Sequence, residues 1–200
     1  MVERLASRAG IAAAILIAFA PATAWAHTGA GAAHGLINGF VHPLLGWDHL
    51  LAMLAVGIYS AQRGGRAVWL LPATFVTVMA IGGVLGIAGV ALPGVESGIL
   101  ASVLVLGALI ALAVRFPLAA GMAVVGLFAI FHGHAHGTEM PQAASAVGYA
   151  IGFCGATALL HIGGIALPTM LRRTIGDGQA KWTRYAGAGI SLAGFILLLG

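Results

Sequence analysis

Long apolar stretches recur along this chain, each closed by a short polar or glycine-proline segment. Six of them reach spanning length: 43–61, 67–91, 96–114, 117–134, 144–171 and 182–199. A helix needs about 20 apolar residues to cross a hydrocarbon core, and a helix satisfies its own backbone there. Pro43 and Pro117 suit first helical positions, where a missing N–H costs nothing, and Pro93-Gly94 closes the second stretch. The pattern predicts an all-α membrane protein, a compact bundle of six transmembrane helices with short connections.

A further apolar run, residues 9–20, follows Arg4 and Arg8 and is broken by Pro21. It is too short to span and has the length of a signal-peptide core. Ala24-Trp25-Ala26 supplies a small-x-small cleavage pattern. Residues 1–26 are therefore expected to be a cleaved signal peptide, and 27–200 the mature membrane domain.

Composition narrows the class. Hydrophobic residues make up 60% of the 200 and charged residues 7%, with a mean hydropathy of +1.04. Soluble domains carry about 25% charged residues, so this chain cannot cover a water-facing surface. Disorder is excluded by the same figures. A single cysteine, Cys154, excludes a disulfide framework or a four-thiolate metal site. The net charge of +4 does not imply nucleic acid, because the basic residues are few and scattered. Their positions instead report topology. Arg63, Arg66, Arg115, Arg172, Arg173, Lys181 and Arg184 all fall in alternate loops, on one side of the predicted bundle. By the positive-inside rule that side is cytoplasmic. The mature N-terminus and the C-terminus then face the periplasm, in keeping with a signal peptide. Trp69 and Trp182 lie at the cytoplasmic ends, and Gly82/Gly86 and Gly148/Gly152 have the spacing of close helix packing in lipid.

The chemistry is concentrated in two polar clusters. His34, His42, Asp48 and His49 lie before and in the first helix, and His132, His134, His136 and Glu139 lie at the end of the fourth and just after it. The topology brings both to the outer face. Ionisable groups at membrane depth are costly and mark functional sites. His42 and His49, seven residues apart, share a face of a continuous helix. Asp48 could bind metal directly or hold an imidazole in the metal-binding tautomer. The segment HGHAH either stays helical, pairing His132 with His136, or unwinds at Gly133 and Gly137. Imidazole is the commonest transition-metal ligand and suits Zn, Cu, Fe and Ni alike. Weaker candidates are His161, with Cys154 seven residues earlier on the same face, and His27 at the mature N-terminus.

The motifs HPLLGWDHLLAMLAVG and FHGHAHGTE, after a signal peptide and among six helices, closely resemble the HupE/UreJ family of hydrogenase and urease accessory proteins. The resemblance spans the mature chain. It implies a nickel permease of the bacterial inner membrane, with cobalt as a second candidate ion. The family's motif residues map onto His42, Asp48, His49, His132, His134, His136 and Glu139. It implies no enzymatic activity and no resident cofactor; the partners are the divalent ion and the bilayer, with homo-oligomerisation left open. No phosphate-binding P-loop is present. A membrane di-iron enzyme and a metal-binding accessory that does not transport are the rival classes.

Overall fold

The structure is a computed structural model and describes residues 32–199. The expected signal peptide and His27 lie outside the described residues. Seven α-helices follow one another: α1 (Ala32–Leu45), α2 (Trp47–Arg63), α3 (Ala67–Ile87), α4 (Val95–Ala111), α5 (Leu118–Thr138), α6 (Ala146–Ile175) and α7 (Gln179–Leu199). A 3-10 turn, Gly176–Gly178, joins the last two.

All six expected segments are helical, but they do not all qualify as spans. Length and apolarity single out Ala67–Ile87, Leu118–Thr138 and the continuous run Ala146–Leu199, with a fourth if the bent pair α1–α2 counts as one. Val95–Ala111 is a shorter apolar helix. The 54 residues of Ala146–Leu199 would measure about 81 Å as one straight helix. The chain reverses instead at Gly176, whose φ of 59° is a left-handed conformation that glycine adopts without steric cost. Beyond the turn, Gly187 of α7 faces Ala111 of α4 and Gly194 faces Leu104, so α7 runs antiparallel to α4.

The first helix departs from expectation. Pro43 does not open it; Pro43 lies in the last turn of α1, and the break comes at Gly46. There the chain bends by 83° through an extended Gly46 (φ −90°, ψ 119°). Proline near a helix C-terminus removes one backbone hydrogen bond, and the following glycine carries the change of direction. The fourth segment differs in the opposite sense. The helix does not unwind at Gly133 or Gly137 but continues to Thr138.

Close packing explains why those glycines are needed. α3 and α5 lie parallel, and a Cβ on Gly133 would collide with the Met79 carbonyl, one on Gly137 with the Gly83 carbonyl. Gly82 and Gly86 face Ile130 and His134 in the same seam. A second seam joins α1 to α6, where Gly152 meets the backbone of Leu36. In lipid, this backbone approach is a principal source of helix association.

The two ends of the bundle differ. At one, Gln62 Nε2 donates to the Ile110 carbonyl at 3.0 Å and Arg184 Nε to the Ala111 carbonyl at 2.8 Å, which gathers the basic ends of α2, α4 and α7. The histidine motifs lie at the other, the length of α2 away. Outward-facing positions are apolar, including Val84, Leu127, Ile151, Leu159 and Leu192, while His132, His136, His161, Ser102 and Thr157 are buried. Apolar outside and polar inside is the distribution of a protein solvated by lipid.

The seam yields a paired prediction on one helix. Gly133→Ala should destabilise the protein by about 1–3 kcal/mol through overpacking. Gly126→Ala should be neutral or stabilising, because its Cβ would sit an ordinary 3.6 Å from Thr74 Cγ2 and alanine is the better helix former. Thermal unfolding in detergent compares them; equal stability of the two variants would contradict the packing assignment.

Candidate metal site

The bend at Gly46 builds the first half of the site. Its missing Cβ leaves the space that Asp48 uses: a side chain there would sit 2.8 Å from Asp48 Oδ1. Asp48 can therefore fold back beside its neighbour, accepting the His49 backbone N–H at 2.7 Å and facing His49 Nδ1 at 2.9 Å. The bend also turns the end of α1 over the start of α2, so that the His42 and His49 rings stand 6.2 Å apart. Their proximity comes from a fold in the chain, not from a shared face of one helix.

The second half comes from α5. His132 and His136, one turn apart, point at α2, and the His49 ring lies 4.7 Å from the first and 4.8 Å from the second. His42 closes the group at 4.9 Å from His136. Glu139, the C-cap of α5, reaches back to His42, with Oε2 2.9 Å from Nε2. The His42 and Glu139 side chains are 30% and 48% exposed, whereas His132 and His136 are fully buried. The cluster thus has a wet mouth and a dry floor. Phe153 stacks on His136 at 4.8 Å, and Tyr149 stands edge-on to His42 at 6.0 Å.

Protons can be assigned at the His49–Asp48 contact. A carboxylate only accepts, so His49 Nδ1 carries the hydrogen and Nε2 is left with its lone pair. Among the described residues that Nε2 is buried without a hydrogen-bond partner, as are both nitrogens of His136. An unsatisfied buried polar atom costs about 1–3 kcal/mol, and several so close together call for a shared positive partner. A transition-metal cation fits this donor set of imidazoles and carboxylates. The rings meet edge-on, at interplanar angles of 85°, 60° and 70°. Among the described residues no three donors already surround one point, so binding needs rotation of the rings toward a common centre.

Not every candidate joins the cluster. His134 points to the far side of α5, where Nε2 donates to the Val90 carbonyl at 2.7 Å and ties down the α3–α4 connection. His34 falls within α1, and its side chain is not among those described. Cys154 packs as a partly buried apolar side chain against the core. His161 sits deeper, 1% exposed, with both nitrogens unpartnered. Phe75 of α3 separates it from the cluster, its ring 5.3 Å from His161 and 5.6 Å from His132. Sequence reasoning missed Phe75, Phe153 and Ser102, whose Oγ lies 2.8 Å from His132 Nε2. Nothing distinguishes these aromatics from lipid-facing ones in a linear pattern, whereas Ser102 is visible as a hydroxyl in an otherwise apolar stretch of α4.

A family model for the HupE / UreJ protein matches residues 14–197. The chain belongs to this family. Among characterised members, Protein HupE of Rhizobium leguminosarum bv. viciae is 47% identical over 180 residues, 90% of this chain and 92% of that protein. No solved structure matches. Both motifs of this HupE/UreJ member, HPLLGWDH and FHGHAHGTE, fall inside the matched region and supply all six cluster residues.

The mouth of the site makes a titration prediction. The hydrogen bond from His42 holds the Glu139 carboxyl below its ordinary value, against the opposing effect of burial. A depressed carboxyl stabilises the fold above its unfolded value, and that contribution is lost as pH falls through the depressed one. His42→Phe keeps a ring but removes the donor, so the Glu139 midpoint should rise. Carbon-13 NMR of glutamate-labelled protein follows it, with exposed Glu96 as an internal reference; an unmoved Glu139 midpoint would contradict the hydrogen bond.

Proposed function

We propose that this protein is a nickel uptake permease of the bacterial inner membrane, with cobalt as a second substrate, supplying nickel enzymes such as hydrogenase or urease. In this reading it crosses the bilayer six times after a cleaved signal peptide. Its histidine end faces the periplasm, its basic end faces the cytoplasm, and both mature termini are periplasmic. The single observation that carries the proposal is the buried group of His49, His132 and His136, with unshared imidazole nitrogens, opening through His42 and Glu139 to one end of an apolar bundle. Membership of the HupE/UreJ family supports the choice of metal.

The reversal at Gly176–Gly178 and the antiparallel α4–α7 pair support the six-crossing topology. The gathering of Arg63, Arg184 and their neighbours at the opposite end from the histidines supports the orientation. His161 is the second station: its unpartnered nitrogens stand behind Phe75, on the route from the cluster toward the basic end. Phe75 separates the two stations as an apolar barrier.

Transport needs no ATP. A membrane potential contributes about 2.3 kcal/mol per charge per 100 mV. A divalent ion therefore gains ~4.6 kcal/mol, on the order of a thousandfold accumulation.

Reconstituted full-length protein in sealed proteoliposomes tests the reading. Radioactive nickel should accumulate when the interior is negative, and cobalt should compete. His49→Ala and His136→Ala should each lower uptake on the order of tenfold or more, by loss of a ligand. His161→Ala should keep nickel binding but lose uptake. Binding without uptake in the unmodified protein would make it a metal-binding accessory, and no binding at all would remove metal from the account.

A further inference from the structure

α4 is apolar along its inner face except at one position, Ser102, which is 0% exposed. A serine hydroxyl has one proton and an oxygen that can accept. Ser102 Oγ donates that proton to the Ile99 carbonyl, 2.6 Å away in the preceding turn, as helix serines commonly do. A carbonyl cannot return it. The second contact of the same oxygen, with His132 Nε2 at 2.8 Å, must then run the other way, the imidazole donating.

A neutral imidazole holds one hydrogen. With it committed at Nε2, the lone pair of His132 lies on Nδ1, which is buried without a partner. The opposite tautomer would turn Nδ1 into an orphaned buried N–H, a rarer situation than an unpaired acceptor. The His132 ring faces His49 at 4.7 Å, and His49 also presents a lone pair, because its own hydrogen is held by Asp48. Each ring is thus anchored through one nitrogen to an oxygen.

We propose that Ser102 is a positioning residue that fixes His132 in the Nε2–H tautomer and so makes Nδ1 its metal-binding atom. Ser102 does on α4 what Asp48 does on α2: together they leave two bare nitrogens where a divalent cation can join α2 to α5. Oxygen partners of this kind set the orientation and basicity of metal-binding histidines. The tautomer assignment stands on the contacts alone; its use in metal binding rests on the permease reading above.

Nitrogen-15 NMR of full-length, histidine-labelled protein in nanodiscs without metal reads the tautomer directly, because protonated and bare imidazole nitrogens resonate far apart. His132 is assigned by its loss in His132→Phe. The unmodified protein should show His132 protonated on Nε2. Ser102→Ala should mix or reverse the tautomers. Ser102→Thr, which keeps the hydroxyl and its bond to the preceding turn, should restore the native pattern. Nickel affinity by calorimetry should fall about 10–100-fold in Ser102→Ala and stay near native in Ser102→Thr. If Ser102→Ala does not fold, Ser102→Cys replaces the oxygen with a weak acceptor and should show the same losses. A native His132 protonated on Nδ1, or a tautomer unchanged by loss of the hydroxyl, overturns the proposal. A changed tautomer with undiminished nickel affinity overturns Nδ1 as the ligand atom. If the unmodified protein binds no nickel, the permease reading fails while the NMR result still decides the role of Ser102.

Discussion

Imidazole nitrogens buried without hydrogen-bond partners are the constraint on which this structure turns. Lipid offers no hydrogen bonds, so a polar atom inside the bundle must find its partner within the protein or in a ligand. His49 directs one nitrogen to Asp48 and leaves the other without a partner; among the described residues neither nitrogen of His136 has one. Replacing these rings by apolar ones would remove the penalty outright. Their retention makes sense if a cation visits the site, because metal coordination converts several unpaired lone pairs into bonds at once.

The rest of the fold serves to hold those rings together. The 83° bend at Gly46 turns two helices into a lip over the cluster, and the space left by its missing Cβ admits the Asp48 carboxylate. Glycines of α5 lie flush against α3, which fixes the rotation of α5 about its own axis. That rotation sends His132 and His136 inward and His134 outward to Val90. Alternating histidines in sequence therefore become two kinds of residue: two in the cluster and one that fastens a loop. The apolar exterior leaves the interior as the only place for polar side chains to converge.

Much of this was legible in the chain. Hydrophobic run lengths predicted helices throughout, and counting basic residues in loops brought His42, Asp48 and His49 to the same end as His132, His136 and Glu139. Both conclusions depend on composition summed over many residues, where local detail averages out. What was not legible depends on single positions. Pro43 reads as a helix start because its favoured backbone angle fits one, yet the break is made by Gly46, and only tertiary packing distinguishes the two. The glycines of HGHAHG read equally well as points of unwinding or of contact until α3 is beside them. Span number was also less clear than run length suggested, since α4 is short and α6 joins α7 through a 3-10 turn with no residue left outside a helix. Phe75 carries no signal in one dimension, and Ser102 shows only as a lone hydroxyl in an apolar stretch, because their roles come from what stands across the bundle.

The central claim is that imidazoles of α2 and α5 bind one divalent cation together with carboxylate oxygen. X-ray absorption at the nickel edge of the metal-loaded, full-length protein measures those ligands directly. The account predicts a shell of nitrogen and oxygen with the multiple-scattering signature of at least two imidazoles, reduced by one in His49→Ala and by one in His132→Ala. A shell of oxygen alone, a sulfur contribution from Cys154, or spectra unchanged in both variants would contradict it.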